Sequence, residues 1–310
     1  MQSTSDPSYF LVLGDANADI IAPAPSFPTE GDDLPIARLH WASGGSATNV
    51  ATGLALLGAP ARLVARVGGD PAASIALGAA QSAGVDLRHI QHDEQSATGT
   101  CIAVVSPAGE RTFLSFRGAN IALTQPSREA FAQARWLHVG GHALLTSPQR
   151  DAALGAIADA SAQGIPVSLD LCLPLVREHA ALVRTLMPSI RVLFGNRHEL
   201  AELGAHELAP GAMAVVKLGG EGCEVRTAQG SIRAEAFPTQ VVDTNGCGDA
   251  FVAAFLWAMM KGCPPQHCAL IANAAGAYAA ARAGAATSLP DRAALESFVA
   301  ATKLELGVPA

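Results

Sequence analysis

The residues best equipped for chemistry lie in Asp243-Thr244-Asn245-Gly246-Cys247-Gly248-Asp249, which runs straight into the apolar stretch Ala250–Trp257. Glycines leave backbone N–H groups uncovered. A helix N-terminus adds unpaired donors and partial positive charge, so the segment can cradle an anion. Asp249 stands at the first turn, where its carboxylate opposes that anion at an electrostatic cost. A phosphate cradle beside a general base is the equipment for moving a phosphoryl group onto a hydroxyl. Asp249 would take the hydroxyl proton. The N–H groups of Asn245, Gly246, Cys247 and Gly248 would hold charge on the transferring group. Aspartate is also a good N-cap for structural reasons alone, so the segment by itself supports either reading.

A second glycine pair opens another helix far upstream, in Gly44-Gly45-Ser46-Ala47-Thr48-Asn49-Val50-Ala51, which runs on to Leu57-Gly58. Val50, Leu54 and Leu57 recur at helical spacing as a buried face. The glycines permit close backbone approach, either to a ligand or to a tightly packed strand. Asn49 offers both a donor and an acceptor.

Taken together, the two segments resemble the signatures of the ribokinase-like carbohydrate kinases, the phosphofructokinase-B type. Gly44, Gly45, Asn49, Ala51, Leu57 and Gly58 match the family's N-terminal pattern. Asp243, Thr244, Gly246, Gly248 and Asp249 match its C-terminal pattern Asp-Thr-x-Gly-Ala-Gly-Asp, with Cys247 in place of alanine. The resemblance covers nearly the whole chain. It implies a single ribokinase-like domain over residues 1–310: an α/β fold, with a doubly wound, mostly parallel sheet flanked by helices. A small β-sheet lid, from segments near 15–45 and 97–120, would be inserted in it.

It also implies further site residues. Asn17 and Asp19 follow the first strand, where open α/β sheets place ligands; they match the family's substrate residues, with Gly45 and Asn49 approaching the same sugar. Asp15, beside them, reads as structural. Asn196 and Glu199 match an Asn-x-x-Glu motif that orients the hydration shell of Mg²⁺, although the same four residues also spell a helix N-cap with glutamate at N3. Lys217, Gly219 and Gly222 resemble the loop beside ATP; Lys217 could reach a phosphate or stand as a solvated strand-end lysine. Asn273 matches a position beside the adenine. Asp243, Arg282, Gly284 and Ser288 fall where the family builds a K⁺ site.

The elements that must position these residues are legible in the hydropathy. Short apolar strands at Phe10–Leu13, Leu63–Val67, Trp136–Val139, Val167–Leu169, Val192–Phe194 and Val215–Leu218 alternate with Ala-rich helical stretches such as 73–83, 151–162 and 175–186. This alternation predicts a parallel sheet covered on both faces. Two stretches break the rhythm: residues 23–42, with four prolines, and a hairpin of Thr100–Val105, a turn at Ser106–Gly109, and Arg111–Phe116. The last third is helical, at 251–260, 266–282 and from about 291. No internal repeat or interdomain linker interrupts it.

Composition narrows the function classes. With 50% hydrophobic and 15% charged residues, 310 residues suffice for one large buried core. A formal net charge of −7 argues against nucleic-acid binding. Six cysteines without a Cys-x-x-Cys pair read as reduced thiols in a cytoplasmic protein, not a zinc site or a disulfide framework. The N-terminus has no signal-peptide pattern, and the apolar run 250–260 is too short for a membrane span. No Gly-x-Gly-x-x-Gly follows the first strand, no Gly-Lys-Ser/Thr occurs, and no Gly-x-Ser-x-Gly is present.

Departures from the family leave the substrate open. Ser46 stands where ribokinase has lysine, Gly140-Gly141-His142 where it has glutamate, and Asp170-Leu171-Cys172-Leu173-Pro174 lacks an Asp-x-Asn-x-Arg pattern. Arg111 and Arg117 are the cations available to a phosphorylated sugar. The expectation is ATP- and Mg²⁺-dependent phosphorylation of a primary hydroxyl on a free sugar. A nucleoside kinase and a catalytically silent sugar-binding protein are the alternatives. A homodimer through the lid accompanies the resemblance. Cys247, a thiol at a helix N-terminus, is a candidate for alkylation.

Overall fold

The computed structural model describes residues 8–107, 111–204 and 207–301, with the side chain of Arg111 also left undescribed. The N-terminal half contains β1 (Tyr9–Leu13), β2 (Asn17–Pro23), β3 (His40–Gly44), α1 (Ser46–Leu56), β4 (Ala61–Val64), β5 (Arg66–Gly68), α2 (Pro71–Ser82), β6 (Gln91–Asp93), β7 (Gly99–Val105) and β8 (Arg111–Phe116). Next come β9 (Ala134–Gly140), α3 (Gln149–Ala162), β10 (Val167–Asp170), α4 (Leu173–Leu186), β11 (Ile190–Asn196), α5 (Arg197–Leu203) and β12 (Met213–Lys217). The chain closes with β13 (Cys223–Thr227), β14 (Gly230–Ala234), α6 (Cys247–Met260), α7 (Pro265–Ala280) and α8 (Arg292–Ala300).

The main sheet has eight strands in the order β14-β13-β12-β11-β10-β9-β1-β4. Every pairing from β4 to β12 is parallel, and β13 and β14 add an antiparallel hairpin at one edge. Successive strand residues point to opposite faces, so the strands feed two cores. Phe10 and Val12 join the core that includes residues of α1, α6, α7 and α8, whereas Leu11 and Leu13 join the one that includes residues of α3, α4 and α5. Burial on both faces is why these strands read as continuous apolar runs.

The interrupted stretches form a separate four-stranded sheet, β3-β2-β7-β8. Residues 24–39 between β2 and β3 contain no regular element and are mostly exposed. Of the expected turn at 106–109, residues 108 and 109 lie outside the described residues. The apolar run Leu63–Val67 is not one strand. β4 stays in the main sheet, and β5 leaves it to pair with β6, with the Ala65 carbonyl accepting the Gln91 N–H at 2.9 Å. The β13–β14 hairpin had no signal in the expected pattern, since its strands are short and half-polar.

Candidate active site

Two cavities meet at the start of α6. One, of about 260 Å³, is bounded by Lys217, Gly219, Gly220 and Gly222, by Thr239, and by Asn273 and Gly276 of α7. The other, of about 490 Å³, lies between the C-terminal ends of the main strands and the small sheet. The expected loop divides between them. Thr244, Cys247 and Gly248 line the first, and Asn245, Gly246 and Asp249 line the second. Neighbouring positions of one tight turn thus face opposite cavities.

Gly246 is the N-cap of α6, and Asp249 falls in its first turn. The Asp249 carboxylate is gripped through both oxygens from α1. Ser46 Oγ donates to Oδ1 at 2.7 Å, and Asn49 Nδ2 donates to Oδ2 at 2.7 Å. Burial pushes the Asp249 carboxyl up to about 6, and these two donated bonds pull the other way. Asp19, across the same cavity, is pushed up to about 7, first by burial and then by the charge of Asp249. Two acceptors in the cavity, Asp19 Oδ1 and Asn49 Oδ1, are buried with no donor. A ligand rich in hydroxyls is the natural complement to such orphaned oxygens.

Asn17, Asp19, Gly45 and Asn49 all line this second cavity. Asn17 Oδ1 accepts from Asn120 Nδ2 at 2.8 Å, which fixes its amide. Gly45 is held at φ +89°, and a Cβ there would meet the Asp15 carbonyl oxygen at 2.4 Å. The glycine therefore lets the entry to α1 pass against the turn after β1.

The loop donors are fewer than expected. Asn245 N–H already donates to Asp243 Oδ1 at 2.6 Å, and Cys247 N–H makes a long 3.4 Å contact to the Thr244 carbonyl. Gly246 and Gly248 are left as the donors suited to an incoming anion. Asp243 acts as a clamp: its Oδ2 accepts the Gly284 N–H at 2.8 Å, tying the loop to the segment before Ser288. Ser288 is fully buried and donates to the Ala285 carbonyl at 2.9 Å. Of the four residues expected at a K⁺ site, Asp243 gives one carboxylate oxygen to each of two backbone donors.

Around the first cavity, Lys217 Nζ pairs with Asp170 Oδ1 at 2.7 Å. Burial opposes the ammonium, but the adjacent carboxylate outweighs it and holds Lys217 above its usual value. Lys217 is thus neither a solvated strand-end lysine nor an unpaired one. Asn273 Nδ2 is bound to the Ala234 and Glu235 carbonyls, so its amide holds the cavity wall in place. Asn196 and Glu199 form a full capping box on α5, with Asn196 Oδ1 accepting the Glu199 N–H and Glu199 Oε2 accepting the Asn196 N–H. They line neither cavity, although Asn196 sits opposite Lys217 in the sheet. Burial raises the Glu199 carboxyl.

Four side chains at the site were not assigned to it by the sequence reading. Asp170 could have been found as the last residue of a central parallel strand, the place where such sheets bind ligands. Ser46 was visible only as a departure. Asp15, expected to be structural, lines the second cavity and binds Arg117 Nη2 at 2.8 and 2.9 Å and Gln149 Nε2 at 2.7 Å. Gln149 had no signal. Among the described residues, no cluster of three His, Cys, Asp or Glu could hold a metal ion, all six cysteines are free, and no helix is long and apolar enough to cross a membrane.

The arrangement matches known proteins over nearly its full length. Residues 8–292 match the family model described as "pfkB family carbohydrate kinase". The chain is 32% identical over 295 residues to an ATP-dependent ribose-1-phosphate kinase of Halopiger xanaduensis, covering 93% of this chain and 97% of that protein. It is 31% identical over 303 residues to a fructokinase of Salmonella typhimurium, covering 90% and 95%. The structure of Arabidopsis thaliana ribokinase complexed with ribose and ATP superposes with a TM-score of 0.81 at 25% identity, covering 94% of this chain and 99% of that one. With both signature segments converging on one carboxylate and the family match running over residues 8–292, the chain belongs to the pfkB family and is an ATP-dependent carbohydrate kinase.

Proposed function

We propose that this chain transfers the γ-phosphoryl group of ATP to a primary hydroxyl of a sugar or sugar-like substrate, with Asp249 as general base. The observation that carries this reading is the division of the loop between two cavities, with Asp249 on one side and Gly248 on the other. The nucleotide occupies the cavity of Lys217, Gly219, Gly222 and Asn273, and the acceptor occupies that of Asn17, Asp19, Gly45 and Asn49. Asp249 accepts the hydroxyl proton as the substrate oxygen bonds to the γ-phosphorus; the bond to the ADP oxygen breaks, and ADP leaves. The N–H groups of Gly246 and Gly248 hold the charge on the equatorial oxygens through that step. Lys217 adds a fixed positive charge, oriented by Asp170.

Mg²⁺, when bound with the nucleotide, neutralises charge on its phosphate oxygens. Glu199 suits it through water: its Oε2 is spent on the cap, and its Oε1 is the oxygen the capping box does not use. The row Trp41–Ile20–Ile102–Leu114 on the outer face of the small sheet, with Trp41 and Leu114 exposed, suits coverage by a second copy.

The test is ATP consumption with Mg²⁺ against sugars, sugar acids and nucleosides, for the wild type and Asp249→Ala. One acceptor should stand out, and its turnover should fall by about 10²–10⁴ in the variant. Equal turnover in both proteins would remove Asp249 as the base.

A further inference from the structure

The acceptor cavity has two unlike ends. Its floor is polar, with Asn17, Asp19, Asn49 and Asp249. Its far wall is the inner face of the small sheet, where Ile21, Ala103 and Phe113 form one row by strand register. Leu145 and Pro174 extend that apolar surface. Phe113 is 51% exposed, and its ring meets no other aromatic ring among the described residues. A free sugar carries hydroxyls all round. Pressed against this wall, it would leave them unsatisfied and the phenyl ring half bare.

The charge of the cavity is equally selective. Asp15, Asp19 and Asp249 face, among the described residues, a single guanidinium, Arg117, which is already bound to Asp15 and Gln149. Burial keeps His142 low and hence neutral. A phosphorylated sugar would bring two further negative charges among three carboxylates, against one described guanidinium that already offsets Asp15. The complement to this cavity is a neutral molecule, with hydroxyls at one end and a flat, weakly polar group at the other.

We propose that the acceptor is a nucleoside, its ribose hydroxyls on Asn17, Asp19 and Asn49 and its base against Ile21, Ala103 and Phe113. Arg117 supports the polar edge of the base. Its Nε and Nη1 are buried without an acceptor on a side chain that lines the same cavity, and a base carbonyl or ring nitrogen supplies one. The inference rests on the phosphoryl-transfer reading and narrows its acceptor.

The experiment measures kcat and KM with ATP and Mg²⁺ for inosine, adenosine, cytidine, D-ribose, D-fructose and ribose 1-phosphate, using the wild type, Phe113→Ser and Phe113→Tyr. One nucleoside should exceed every free sugar and the sugar phosphate by at least about tenfold in kcat/KM, the gain expected from stacking one base on an aromatic ring. Phe113→Ser should raise its KM by about 5- to 150-fold, with kcat and the KM for ATP within about twofold of wild type. Phe113→Tyr, which keeps the ring, should restore the KM. A free sugar or ribose 1-phosphate leading the panel overturns the nucleoside assignment and leaves phosphoryl transfer standing, as does a nucleoside KM that ignores Phe113→Ser. Absence of turnover with all six compounds overturns both.

Discussion

Removal of the Ser46 hydroxyl should shift the pH dependence of the enzyme without destroying its activity at high pH. Asp249 is buried, and burial alone would drive its carboxyl well above the usual range; two donated bonds of 2.7 Å restrain it to about 6. A hydrogen bond to a charged group contributes roughly 1.5–3 kcal/mol, or about one to two pK units at about 1.4 kcal/mol per unit. Ser46 is half-buried, so water entering the space left by Ser46→Ala returns part of this. The net displacement should be about one unit, from about 6 to about 7.

The sign follows from the role. The base works only when ionised, so activity falls as pH drops, and the variant should fall first. The assay is kcat/KM for the acceptor between pH 5 and 9 at saturating ATP, which reports groups of the acceptor-free enzyme. At pH 6 about half of the wild-type base is ionised against about one-tenth in the variant, a roughly fivefold loss that vanishes by pH 9. Asp19 titrates in the same range, so the wild-type limb belongs to the pair, but only the contribution of Asp249 depends on Ser46. Ser46→Thr keeps the hydroxyl and should keep the wild-type limb. A limb that stays put in Ser46→Ala, or a loss equal at every pH, would refute the reasoning.

Three further outcomes follow from the same geometry. Because burial raises Asp19 to about 7 in the folded state, its stabilising protonated form is complete below the unfolded value and is lost as pH rises through 7; Asp19→Asn should therefore raise the melting temperature at pH 8 and leave it nearly unchanged at pH 4. Lys217→Met leaves the Asp170 carboxylate, 8% exposed, without its partner; urea unfolding at pH 8 should show a loss of about 3–5 kcal/mol, and a wild-type midpoint would show that the pair is not formed. Cys247 lines the cavity proposed for the nucleotide, so alkylation should slow turnover and ATP should protect; full activity after stoichiometric labelling would exclude contact with bound nucleotide.

The parallel sheet was legible because strands buried on both faces cannot hide. Val167–Leu169 and Val192–Phe194 sit where their apolar runs predict, and the one polar side chain among them, Ser168, is buried with its hydroxyl bonded to Trp136 and His138 of the neighbouring strand. The edge hairpin β13–β14 was not legible: its strands carry Glu224, Arg226 and Arg233, which form ion pairs on the exposed face and dilute the pattern. In the site, the glycine segments announced themselves through composition. Partnerships that cross the fold could not do so. Asp170 meets Lys217 across 47 positions, Asp15 meets Gln149 across 134, and Ser46 meets Asp249 across 203. Nothing local to either partner encodes such a bond. The motif Asn196–Glu199 shows the converse: its four residues spell both a helix cap and a metal-orienting pair, and the local one of the two readings, the cap, is formed.

The bond between Asn49 and Asp249 is also a consequence of packing. One turn further along each helix, Gly53 of α1 faces Ala253 of α6, and a Cβ on Gly53 would stand 2.8 Å from that of Ala253. The two contacts are four residues apart on both helices, so α1 and α6 run side by side in the same direction with their N-termini together at the site. Contact at Gly53 therefore brings Asn49 within 2.7 Å of the carboxylate a turn away. It also delivers two helix N-termini to one place, where their partial positive charges favour both an ionised Asp249 and an incoming phosphoryl group. The repulsion between base and anion, which makes the sequence of the loop look costly, is thereby offset by the element that the other glycine segment begins.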